Sequence, residues 1–212
     1  MTDRFDHKDI EALFTRADGA FLFARWGRPI APVVIGVEDA TLSTVKSAFE
    51  AIATLVEQPI LTETDPELGT NCMIFFFREW DELRHVPDLD RLIPDLADLL
   101  DRLERAEANQ YRIFRFDPSG AIQAAFVFLR MDENLSAVPA EDLALAQVAQ
   151  TMLLWSDTAF RDRSVLGRVQ EQTILRPDIA SLIRAAYDPR IPVMSEDPSL
   201  ALRLAARIGV AQ

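Results

Sequence analysis

Apolar residues along this chain change period several times, and each change predicts an element. Over residues 6–17, Ile10, Leu13 and Phe14 share one helical face, and Asp18-Gly19 then breaks the pattern. Residues 20–26 and 30–37 are β-rich runs divided by Gly27-Arg28-Pro29. Between 40 and 57, Leu42, Val45, Phe49, Ile52 and Val56 step by three and four. That is the stripe of a helix packed on a sheet, and Glu38 and Asp39 suit its N-terminal dipole. Pro59 stops it, and 60–64 read as a short edge strand. The run 71–77, Asn-Cys-Met-Ile-Phe-Phe-Phe, is apolar without alternation, which predicts a strand covered on both faces.

Residues 87–105 read as a turn and then a helix, with Leu89, Leu92, Leu96, Leu99 and Leu103 at helical spacing. Pro94 fits a first turn and would break an interior, so the main helix is expected to start near Ile93. Residues 111–116 and 121–131 pair as a hairpin through Asp117-Pro118-Ser119-Gly120. The remainder reads as helical: 139–155, 177–187, and 198–208 capped by Asp197 and ended by Gly209. The expected organisation is one α+β domain over 1–212. It has an N-terminal helix within 1–19, a sheet with packing helices over 20–131, and a helical part over 139–212.

Composition narrows the function classes. With 34 acidic against 22 basic residues the net charge is −12, and the basic residues form no run, which argues against nucleic acid and against an anionic membrane surface. The polar start MTDRFDHKDI, and the lack of any stretch near the ~20 apolar residues of a membrane span, predict a cytoplasmic protein. A periplasmic one would look the same once its leader had been removed. Cys72 is the single cysteine, so no disulfide forms within the chain, and it is expected to behave as a small buried hydrophobe.

No complete catalytic constellation is present. His7 and His85 lack metal-ligand neighbours at helical spacing, and no metal or other cofactor is expected. There is no Gly-x-Ser-x-Gly elbow, P-loop or Gly-x-Gly-x-x-Gly turn. Glu79, Asp81 and Glu82 cluster as a solvated face, while Asp157 and Asp162 are a candidate carboxylate pair.

The stretch from Ala146 to Asp157 is the most informative. Its apolar layout resembles the HExxHxxGxxH helix of zincins, followed by Asp. Metal positions then fall on Ala146, Gln150 and Ser156, and the general base on Gln147. None can do the original work: alanine has no donor, a glutamine amide is no base near neutral pH, and amide and hydroxyl are poor zinc ligands. Around this helix stand Arg25-Trp26-Gly27-Arg28-Pro29-Ile30, the Asn71-led strand, and Leu175-Arg176-Pro177-Asp178 with Tyr187-Asp188-Pro189-Arg190-Ile191. Together they resemble a zincin-like family of uncharacterised proteobacterial proteins, several of them predicted lipoproteins, over about Arg25 to Ile191.

The resemblance implies a metalloprotease-like fold with a mixed twisted sheet, the long helix beneath it and a smaller helical C-terminal part. It implies a cleft between the sheet and the C-terminal helices bordered by Gln147 and Gln150, with Ser156 and Asp157 beside them, and with Val148, Met152 and Trp155 in the core. The functional expectation is a non-catalytic, pseudo-metalloprotease domain that binds a peptide, protein or small molecule in the former active-site cleft. Two alternatives stand beside it. One is an enzyme using Asp157 and Asp162 with Arg161 or Arg163; the other is a helical interaction protein, such as a homodimer.

Overall fold

The computed structural model describes residues 5–56, 69–170 and 172–210, and the strand expected at 60–64 lies outside them. Helix α1 (His7–Phe14) starts at a reciprocal cap in which Asp6 accepts from the Asp9 N–H and Asp9 accepts from the Asp6 N–H. It stops three residues earlier than 17, at Phe14. Strand β1 is only Phe23–Ala24, and β2 is Pro32–Ile35. Gly36, at φ +86°, turns the chain from β2 toward α2 (Asp39–Val56), and a Cβ there would meet the Phe76 carbonyl oxygen at 2.0 Å. Of the expected stripe, Val45, Phe49, Ile52 and Val56 are buried and Leu42 half-buried.

Strand β3 (Cys72–Phe77) is followed by a 3₁₀ turn (Trp80–His85), the single helical turn α3 (Leu89–Leu92) and α4 (Leu96–Arg105). The main helix thus begins at Leu96, not near Ile93. Pro94 disfavours helical backbone in the residue before it, and Ile93 is extended; Asp95 then sits at φ +58° before α4 starts. Strands β4 (Gln110–Phe116) and β5 (Ile122–Arg130) form the expected hairpin. In its turn Asp117 accepts from the Ser119 and Ala121 N–H groups, and Gly120 takes φ +80°.

After the short α5 (Glu133–Ser136), α6 spans Ala140–Thr151 and ends four residues earlier than expected. The Trp26 indole donates to the Thr151 carbonyl at 2.9 Å and Leu153 bridges to Arg25, so residues beyond 151 are taken out of the helix by the N-terminal segment. The expectation that everything after 139 is helical is corrected by a second hairpin, β6 (Leu166–Val169) with β7 (Gln172–Leu175). It is corrected again by β8 (Met194–Ser195), which pairs with β1. Helices α7 (Pro177–Ala186) and α8 (Leu200–Val210) complete the chain. Asp197 spends its carboxylate on the Ser199 N–H and hydroxyl, so α8 starts two residues later than expected and runs past Gly209.

The main sheet has the order β2-β3-β5-β4, parallel except for the antiparallel edge strand β4. Both faces are covered. Cys72, Ile74, Val127 and Leu129 pack with α2, α6, α7, α8 and α1, whereas Phe75, Phe77, Phe126 and Phe128 pack with α3, α4 and the 3₁₀ turn. This is a mixed α+β architecture, and the unbroken apolar run of β3 reflects burial on two sides. Among the described residues no helix is long and apolar enough to cross a membrane.

Candidate binding cleft

Strand alternation gives β4 two faces. Gln110, Arg112 and Phe114 turn toward α6, while Tyr111 and Ile113 pack on the α4 side. Beside β4 lies an open cleft of about 970 Å³. Its walls are β4 from Gln110 to Phe114 with Phe116, the segment Leu154–Asp157 that leaves α6, and Arg16–Asp18 just beyond α1.

Packing fixes the wall beyond α6. Trp155 stacks on Phe14 at 5.4 Å between ring centres and 9° between planes, meets Phe160 edge-on at 5.0 Å, and donates its indole N–H to the Ala149 carbonyl at 3.3 Å. The Ser156 N–H donates to the Leu13 carbonyl at 2.9 Å, and Asp157 Oδ1 accepts the Ala17 N–H at 3.1 Å. The turn after Trp155 is therefore tied to the end of α1. From behind, Tyr187 donates its hydroxyl to the Met152 carbonyl at 2.8 Å, and the Arg25 guanidinium lies 5.4 Å from the Tyr187 ring centre. Burial pushes the Tyr187 hydroxyl pKa up.

The two glutamines of α6 differ in setting. Gln150 is half-buried and lines the cleft. Gln147 is 3% exposed and lies behind it, donating to Gln110 Oε1 at 2.9 Å and accepting from Arg112. Ser156 and Asp157 line the same cleft as Gln150. Val148 and Met152 are fully buried, and Trp155 is half-buried. The C-terminal helices α7 and α8 contribute nothing to the lining, so the cleft opens between the sheet edge and the end of α1 rather than against the C-terminal part.

Of the carboxylate alternative, Asp157 and Arg161 line the cleft. Arg163 instead lies 3.8 Å from Asp178 and over the Phe5 ring, and Asp162 is exposed outside the lining. Among the described residues no group of three or more His, Cys, Asp or Glu is placed to hold a metal.

Arg112 and Gln110 were not singled out from sequence. Burial pushes the Arg112 pKa down to about 10, so it remains a cation at neutral pH. Its Nε has no solvent contact and no acceptor. The available signal was a charged residue at an inward position of a strand whose next inward residue is Phe114. The chain matches no protein-family model, no curated protein and no solved structure, so the cleft is read from its own geometry.

Proposed function

We propose that this is a non-catalytic, zincin-like binding domain whose cleft takes an extended peptide segment as an added strand on β4. The observation that carries the reading is an antiparallel edge strand lying directly beside the cleft. Among the described residues no strand pairs with the outer side of β4. Asn109 accepts from the Arg130 N–H, and ladder alternation then turns the peptide groups of Gln110, Arg112 and Phe114 outward. Such a row of unpaired donors and acceptors is the template for strand addition. Tyr111, Phe114, Phe116, Trp155 and Phe160 supply apolar surface for alternate side chains, and Phe116 is 42% exposed.

The zincin-like part of the proposal is supported by Gln150 and Ser156, two of the three former metal positions by spacing, bordering one cleft. Their chemistry makes the domain non-catalytic: amide and hydroxyl hold zinc poorly, and Ala146 has no donor atom. The test is selection of peptides from a random display library on the purified protein, followed by incubation of a selected peptide with protein and added zinc. The peptide is recovered intact by mass spectrometry. Cleavage that depends on zinc contradicts the non-catalytic reading.

A further inference from the structure

The chain carries 34 acidic and 22 basic residues, yet the cleft is lined by Arg16, Arg112 and Arg161 against only Asp18 and Asp157. Both aspartates already serve the backbone, Asp18 accepting from the Ala20 N–H at 2.9 Å and Asp157 from Ala17. None of the three arginines forms an ion pair with a described side chain. Arg112 is the most confined. Its Nη2 meets only the neutral amide oxygens of Gln110, at 3.4 Å, and Gln147. A cation partly withdrawn from water without an anion is costly, and amide dipoles compensate only part of that. An anion arriving in the cleft recovers the rest, and low-dielectric walls strengthen the attraction.

We propose that the cleft recognises a carboxylate on its ligand, received by the Arg112 guanidinium with Arg16 and Arg161 at the rim. This rests on the cleft being a binding site, and it names the charge that the site selects. The planar fork of arginine matches a carboxylate in two parallel hydrogen bonds, which an ammonium cannot reproduce. The carboxylate comes either from an acidic side chain of a bound peptide or from a free small acid. Rim arginines, being exposed, mainly steer approach, while Arg112 discriminates.

The test is calorimetric titration of the whole protein with four probes. Three are capped peptides alternating phenylalanine with glutamate, glutamine or lysine, and the fourth is citrate. The glutamate peptide binds at least about tenfold tighter than the glutamine peptide, and the lysine peptide binds weakest. Arg112→Gln removes that tenfold difference. Arg112→Lys keeps the charge, guards against a folding defect, and retains only part of the difference. Arg161→Gln weakens the glutamate peptide by about two- to threefold. Equal binding of the glutamate and glutamine peptides, or preference for the lysine peptide, overturns the carboxylate inference while the peptide cleft stands. Citrate bound through Arg112 with all peptides silent keeps the carboxylate site and overturns the peptide reading. Silence of all four probes overturns both.

Discussion

Gln147 of α6 donates its side-chain amide to Gln110 of β4 across 2.9 Å, joining the helix to the sheet edge behind the cleft. Its oxygen accepts from Arg112, so one buried amide satisfies a donor and an acceptor on the same strand face. Three residues on, Gln150 reaches the cleft surface instead. Two glutamines on one helix therefore do different work, one structural and one available to a ligand.

That difference predicts unequal costs of truncation. Gln147→Leu leaves Gln110 and Arg112 without their shared partner and lowers stability by about 1–3 kcal/mol. Gln150→Leu changes stability by less than about 0.5 kcal/mol, because water replaces its contacts, and weakens peptide binding. Urea denaturation of both variants at neutral pH checks the pair, with the m-value confirming that only stability has moved.

Tyr187→Phe removes the donor that satisfies the Met152 carbonyl just after α6. Met152 is fully buried, so the orphaned carbonyl costs about 1–3 kcal/mol. Arg25 also loses little else, since it still donates to the Trp26 and Ile191 carbonyls. Thermal melting of the variant should show a fall with the cleft's peptide affinity preserved within a fewfold.

Much of this fold was legible because burial leaves a period. The stripe of α2 and the unbroken apolar run of β3 mark one covered face and two covered faces, and Asp117 to Gly120 announce a turn through their own hydrogen-bonding chemistry. The end of α6 was not legible. Met152, Leu153 and Leu154 continue a helical pattern, and the helix stops because Trp26 and Arg25, more than a hundred residues earlier, take up Thr151 and Leu153. The β6–β7 hairpin is hidden for another reason: its strands are four residues each, half-buried or exposed, and leave no alternation to read. At the site, spacing on α6 drew attention to Gln147, Gln150, Ser156 and Asp157. Arg112 and Gln110 escaped it, because what distinguishes them is the fold that brings an edge strand beside that helix.

Cys72 supplies a pH dependence. Its thiol is buried in the sheet and burial pushes its pKa from 9.0 up to about 12. The unfolded thiol ionises near 9 while the folded one stays protonated, so the unfolded state binds fewer protons between those values. Its contribution is full below pH 9 and is lost as pH rises toward 12, by about 1.4 kcal/mol per pH unit. Cys72→Ala should flatten the fall in stability above pH 9, measured by denaturation at a series of alkaline pH values. The native thiol should also stay unreactive to a disulfide reagent until the chain unfolds.

The central claim is that a peptide adds to β4, and residue-resolved hydrogen exchange tests it most directly. With a display-selected peptide at saturation, the outward amides of Gln110, Arg112 and Phe114 should exchange at least about tenfold more slowly than in the free protein. Strand β2, the opposite edge of the same sheet, should be unchanged. Protection that appears on β2 or α8 while β4 exchanges at its free rate would contradict the account.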